Sequence, residues 1–142
     1  MADAVPFKLV TPAQVVFDGD AELVIAVTTE GEEGILPHHA PFLAALRPGI
    51  LRANVRRSPQ EGAGTRLELA TSEGFMQALP DGITVLVDEA VRFEDVVVSD
   101  ARQELNEAKE RQKAAGADQE LFAREQAKIE FAEAKLRLTG HK

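Results

Sequence analysis

Proline and glycine recur every several residues up to Arg92, whereas from Phe93 onward proline is absent and glycine occurs only at Gly116 and Gly140. Proline removes a backbone donor and glycine weakens a helix interior, so long helices are excluded from the first part and permitted in the second. The segments between the early breaks are rich in Val, Ile, Leu and Thr: FKLV, QVVFDG, AELVIAV, ILRANV, TRLELAT and GITVLVDEAV. Such residues suit a pleated, half-buried surface, and the segments are read as strands. Helical crossovers need spacers of about ten residues or more, and none is present, so the first part is predicted to be an antiparallel sandwich. SPQEGAG, Ser58 to Gly64, is expected to be a hairpin loop, and LPDG, Leu79 to Gly82, a tight turn between two strands. The chain divides into a β domain at 1–92 and a helical hairpin at 93–142.

In the second part Ser99 is expected as an N-cap, Gly116 as a helix stop, and Asp118 as the cap of a second helix running to about Leu138. Ala101, Leu105, Ala108 and Ala115 share one stripe of the first helix, so its buried face is mostly methyl groups. At about 0.8 kcal/mol per buried CH₂, that face grips weakly. The second helix carries two apolar sides. Leu121, Phe122, Ile129, Ala132 and Leu136 lie on one, and Ala123, Ala127, Phe131, Ala134 and Leu138 lie nearly opposite. Two stripes imply either burial on both sides or a choice between two packings. Arg124, Lys128 and Lys135 form a basic edge between them, with Glu130, Glu133 and Arg137 on the other edge. The basic edge suits an acidic surface or, equally, solvent.

The formal net charge of −8 disfavours nucleic acid or an anionic lipid surface as the main partner and favours other proteins. Cysteine is absent, which removes disulfides and thiolate metal sites. No run approaches the ~20 apolar residues of a membrane span, and MADAVPFKLV lacks the basic and apolar regions of a signal, so a soluble, unprocessed chain is expected. His38 and His39 are adjacent, and His141 is remote in sequence, so no spaced helical zinc pair exists and no metal site is expected. There is no phosphate loop and no Ser-His-Asp set. The expectation is a non-enzymatic protein without a cofactor.

EGEEGILPHHAPFLAALRPG, from Glu30 to Gly49, is the most diagnostic stretch: Gly31 and Gly34 permit a bend that places Glu30, Glu32 and Glu33 in solvent, and three prolines keep the apolar residues out of a helix. Together with FKLVTP, TSEGFMQALPDGITVLVDEAVR and the two terminal helices, in that order, it resembles the epsilon subunit of rotary F-type ATP synthases, equivalent to mitochondrial delta. The resemblance implies a sandwich of about ten strands that docks on the gamma subunit and the c-ring, a place in the central stalk, and a peripheral location on the cytoplasmic face of a bacterial plasma membrane. It places Glu30, Gly31, Glu32, Glu33, Gly34 and His39 toward the c-ring and gamma. It also implies that the hairpin can lie compactly on the sandwich or extend along gamma into the alpha/beta hexamer, where Arg124, Lys128 and Lys135 meet acidic segments and ATP hydrolysis is blocked. Some members bind ATP through [IL]-D-x-x-R-A. Here the aligned residues run from Val96 to Ala101, with Val97 and Asp100 in place of the acid and the arginine, so that pocket is expected to be lost. The rival reading is an adaptor of the same architecture, unconnected to a rotary machine.

Overall fold

A computed structural model describes residues 3–56 and 65–140 of the chain; the expected Ser58–Gly64 loop lies outside them. The strands are β1 (Val5–Val10), β2 (Val15–Thr28), β3 (Gly31–Ile35), β4 (Phe42–Leu46), β5 (Gly49–Arg56), β6 (Thr65–Thr71), β7 (Gly74–Leu79), β8 (Gly82–Val87) and β9 (Ala90–Arg92). A 3₁₀ turn at Phe93–Asp95 leads to helices α1 (Val98–Ala114) and α2 (Gln119–Leu138). The described strands number nine rather than about ten.

The strands form a sandwich whose two layers share β2. Along one run the order is β1-β8-β7-β4, and along the other β5-β6-β9, with β3 on β2. β1 pairs with the first half of β2, from Val5 opposite Ala21, while β5 pairs with its middle and β3 with its end. β4 closes the corner through Thr28 opposite Leu46. QVVFDG and AELVIAV are therefore one strand of 14 residues. A bulge between Ala21 and Leu23, where the register to β5 shifts, bends it between layers.

Alternation decides the core. Val5, Phe7 and Leu9 of β1, Leu51, Ala53 and Val55 of β5, and Ile83, Val85 and Val87 of β8 all point inward and are buried. Phe7 and Phe17 stack at 5.6 Å between ring centroids. The expected tight turn is present: Leu79 pairs with Gly82 across Pro80 and Asp81. GITVLVDEAV, by contrast, splits into β8 and β9 at Asp88 and Glu89, where Ser72 Oγ accepts the Glu89 amide at 2.8 Å.

The expected Ser99 cap is not formed. Val97 occupies the N-cap without a side-chain bond, the Ala101 amide donates to the Val97 carbonyl at 3.0 Å, and Ser99 lies inside the first turn. Asp100 in that turn compensates, because a negative charge favours the positive end of the helix dipole. Gly116, at φ +59°, ends the first helix by taking the left-handed conformation that other residues avoid. Asp118 caps α2 as expected, its Oδ1 accepting the Leu121 amide at 3.1 Å.

α2 is buried on both sides over most of its length. Phe131, Ala134 and Leu138 pack on Ala70, Ile50 and Val91 of the sandwich. On the opposite face Ile129, Ala132 and Leu136 are buried beneath α1, whose own Ala101 and Ala108 are fully covered. The first turn departs from the expected stripes, because Phe122 and Ala123 reach past both neighbours into solvent.

Glycine positions separate sharply in tolerance. A Cβ on Gly74 would lie 1.9 Å from the Leu86 carbonyl oxygen and 2.7 Å from Val87 Cα, both backbone atoms. A Cβ on Gly34 would meet nothing nearer than Leu23 Cδ1 at 3.7 Å. Urea unfolding is expected to show Gly74→Ala destabilised by about 2 kcal/mol or more, in the range of overpacked cores, and Gly34→Ala within about 1 kcal/mol of the parent.

Candidate functional site

The acidic hairpin is real, but its apex differs from the sequence reading. Thr28 pairs with Gly31, so Thr29 and Glu30 form the turn, and Gly31 takes φ +119°. Thr28 Oγ1 donates to the Gly31 carbonyl at 2.7 Å and accepts the Glu30 amide at 3.1 Å. Gly34 makes no bend; it lies within β3 opposite Ile25. Glu30 and Glu32 are exposed, whereas Glu33 is half-buried, because it pairs with the inward-facing Ala26. Glu32 approaches Arg52 of β5 at 3.6 Å on the outer face.

His39 does not join this turn. It precedes the start of β4, whereas the other end of that strand, Leu46, pairs with Thr28. Its Nδ1 donates to the Ala40 carbonyl at 2.7 Å, and its ring meets Phe42 edge-on at 6.0 Å. The neighbouring His38, at φ +65°, donates from Nδ1 to the Pro80 carbonyl at 3.2 Å, which ties this loop to the β7–β8 turn. The predicted contact residues therefore fall at opposite ends of one layer edge.

A surface that the sequence reading missed lies between those ends. Val10, Leu86, Phe75 and Ala45 occupy one row across β1, β8, β7 and β4, all facing outward. Leu43 and Leu79 flank the row on the same face. Phe75 is 57% exposed, Leu43 70% and Leu86 51%, so large apolar side chains stand unpartnered together. A groove of about 450 Å³ opens beside them, lined by Thr29, Ala45, Arg47, Gly74, Phe75 and Leu86. The groove reaches the acidic turn at Thr29. GFMQAL and GITVLV carry apolar residues at both strand parities, and that double pattern was the available signal.

The three expected basic residues of α2 have different surroundings. Lys135 is 12% exposed in its side chain, bonds Glu104 of α1 at 2.5 Å, and sits 4.6 Å above the Phe131 ring. Lys128 lies 3.4 Å from Glu125. Arg124 is exposed beside a cavity of about 230 Å³ that it shares with Lys128 and with Glu73, Asp88 and Glu89 of the sandwich. Two of the three cations are thus engaged within the compact hairpin, and the third faces carboxylates of the chain itself.

Two carboxylates hold α2 in place. Glu125 is 1% exposed, and its oxygens accept Arg111 Nε of α1 at 2.9 and 3.0 Å. The Arg111 bond holds its carboxyl below the ordinary range against the opposing effect of burial, and Lys128 adds to it. Glu130 is pushed up by burial, yet the bonds from Arg47 and Gln126 and the Arg47 charge bring it net below that range. Arg47 grips Glu130 with two donors, Nε to Oε1 at 3.3 Å and Nη2 to Oε2 at 2.8 Å. Val97 and Asp100 lie at the start of α1, Val97 at the cap and Asp100 in the first turn. Among the described residues no His, Cys, Asp or Glu cluster could hold a metal, and no helix is long and apolar enough to cross a membrane.

The fold and site thus define a β-sandwich with an exposed apolar outer face, an acidic turn and a helical hairpin packed on it. Residues 4–93 match the family model for the ATP synthase Delta/Epsilon chain, beta-sandwich domain. The chain is 42% identical to the ATP synthase epsilon chain of Chromobacterium violaceum over 102 residues, covering 72% of this chain and 66% of that one. It is 35% identical to that of Moorella thermoacetica over 135 residues, 94% of each. Its fold is similar to a chain in the cryo-EM structure of the Euglena gracilis mitochondrial ATP synthase, with a TM-score of 0.75 at 21% identity over 97% of this chain and 82% of that one. A chain of the Tetrahymena thermophila mitochondrial ATP synthase central stalk and c-ring matches with a TM-score of 0.51 at 18% identity, over 66% of this chain and 69% of that one. This chain belongs to the ATP synthase epsilon family.

Acidification tests the hairpin. The lowered carboxyl of Glu125 means that separated helices bind its proton more tightly, so its contribution is complete above about pH 4.5 and is lost as pH falls through the depressed value. Glu130 acts with the same sign. The groups facing Glu125 are Arg111, which also lies 3.8 Å from Glu107, and Lys128. Glu125→Gln is expected to lower the thermal midpoint at neutral pH and to flatten, without abolishing, its fall below pH 4.5, followed by circular dichroism at 222 nm.

Proposed function

We propose that this chain is the central-stalk rotor subunit of an F-type ATP synthase, joining the gamma subunit to the c-ring and carrying no catalytic site or cofactor of its own. The observation that carries the proposal is the contiguous apolar outer face of β4, β7 and β8, which meets the acidic turn at one groove on a chain of this family. An aromatic anchor surrounded by aliphatic side chains is the usual centre of a protein interface, and it suits a permanent partner such as gamma. The solvent-facing Glu30–Gly34 hairpin and His39 are the candidate contacts to polar loops of the c-ring and to gamma. The two parts, 1–92 and 93–142, then act as a docking domain and a regulatory domain. The assembly holds the chain peripherally at the cytoplasmic face of a bacterial plasma membrane.

The hairpin is proposed to restrain ATP hydrolysis when it extends into the alpha/beta hexamer. In the compact form Lys135 and Lys128 are occupied by Glu104 and Glu125. Presenting Lys135 to acidic segments of a beta subunit therefore requires α1 and α2 to part, whereas Lys128 pairs within α2 itself and its side chain is already half exposed. Exchange of one apolar bed for another can drive such a change, since moving an equilibrium from 1:99 to 99:1 takes about 5.5 kcal/mol of differential binding.

A tagged chain is expected to recover gamma and catalytic subunits from its native membranes. Phe75→Glu with Leu86→Glu should reduce gamma recovery at least about tenfold while circular dichroism stays that of the parent, because both side chains lie outside the core. Recovery of neither partner by the parent would favour the adaptor reading. Deleting residues 93–142 is expected to leave assembly intact and to raise ATPase activity in isolated membranes; unchanged hydrolysis would show that the hairpin is no brake.

A further inference from the structure

Arg47 belongs to two places at once. Its backbone amide donates to the Val27 carbonyl at 2.9 Å, which fixes it at the end of β4 next to the acidic turn. Its side chain lines the mostly apolar groove with Ala45, Phe75 and Leu86, where Glu73 and Asp88 also stand, and the cleft beneath α2 with Pro48, Glu73, Phe122 and Glu130. It makes an ion pair that joins the sandwich to α2, over a separation of 83 residues.

The pair is asymmetric. The Arg47 side chain is 52% exposed, whereas that of Glu130 is 17% exposed. A guanidinium has five N–H donors in a planar fork, and Glu130 engages only Nε and one Nη of Arg47. A second carboxylate can therefore approach the exposed donors from the groove side while Glu130 still holds the inner ones. The apolar share of the same junction is small, a patch in which Phe131, Ala134 and Leu138 meet Ala70, Ile50 and Val91. From Glu130 the polar contacts continue inward: Gln126 Nε2 donates to Glu130 at 3.0 Å, and Gln112 of α1 donates to Gln126 at 2.7 Å.

We propose that Arg47 is an exchangeable clamp: a partner seated in the groove, with a carboxylate beside its apolar anchor, takes the guanidinium from Glu130 and loosens the hairpin. This rests on the groove being the docking face for gamma. It makes docking and hairpin release two sides of one coupling, each altering the other by the same factor. The shallow seat is what gives the clamp its leverage. Once Arg47 is withdrawn, Glu130 remains mostly covered and keeps Gln126 as its bonding partner among the described residues, and a carboxylate so placed is drawn toward water.

The test measures amide hydrogen exchange along α2 in the full chain, alone and with purified gamma. Alone, Arg47→Ala and Glu130→Gln should each speed exchange at least about fivefold, the lower bound of ordinary coupling energies, and the exchanged pair Arg47→Glu with Glu130→Arg should restore protection. Rates within twofold of the parent in both single variants would overturn the clamp. Adding gamma should speed exchange in the parent and have little effect in Arg47→Ala, whose clamp is already open. If gamma binds but speeds both equally, or neither, the exchange mechanism is wrong while the docking reading stands. If gamma does not bind the parent at all, both fall.

Discussion

The backbone of β2 has to serve two layers at once, and most of the molecule is arranged around that demand. Its first half takes β1 on one side, its second half takes β3, β5 spans the middle, and its end meets β4. A strand can pass from one sheet to another only by bending, and the irregular register at Ala21 and Leu23 supplies the bend. Gly19 is needed there for a separate reason: a Cβ would sit 2.6 Å from the Arg56 carbonyl oxygen and 2.9 Å from the Phe17 ring. Because the strand runs unbroken to Thr28, the acidic turn at its tip is continuous with the inner core residues Val24 and Ala26 rather than hung from a flexible loop.

What the sequence revealed and what it hid follow from the range of the interactions. Strand identity was legible because it is local, as in FKLV and GITVLV, whereas which parity faces inward came from the fold. Gly116 and Asp118 were legible too, because their backbone roles depend on a few neighbours. Asp18-Gly19-Asp20 looked like a break because composition cannot tell a turn glycine from one that admits a neighbouring carbonyl. Ser99 looked like a cap because its chemistry suits one, yet the extended run through Val96 and Val97 delivers the chain to the helix two residues earlier. Phe75 and Leu86 were absorbed into strand patterns, and only the pairing of β7 with β8 shows that they share an outer face with Ala45.

Two of the ion pairs that hold the hairpin differ in character. Arg111 and Glu125 join α1 to α2 where the carboxylate is almost wholly removed from water, and a carboxylate so buried stays charged only while its partners remain. Arg47 and Glu130 join α2 to the sandwich at the surface, where solvent weakens the attraction and can replace either partner. The apolar contacts follow the same order. Methyl groups line α1 on one side of α2, and on the other a single phenylalanine and its neighbours rest on a patch of β5, β6 and β9. Neither junction resembles the interior of the sandwich, where Leu9, Val24, Leu69, Met76 and Val85 are completely enclosed.

Among the described residues no strand makes more than marginal contact with α1, so that helix is attached to the rest of the fold through α2. It is a passenger. When α2 lifts from its bed, α1 must travel with it, and the Arg111–Glu125 pair can ride along unbroken because both of its members are aboard. Departure and unfurling are thus separate events with separate barriers, and a halfway species, a closed hairpin swinging free on the tether that follows Arg92, is built into the connectivity.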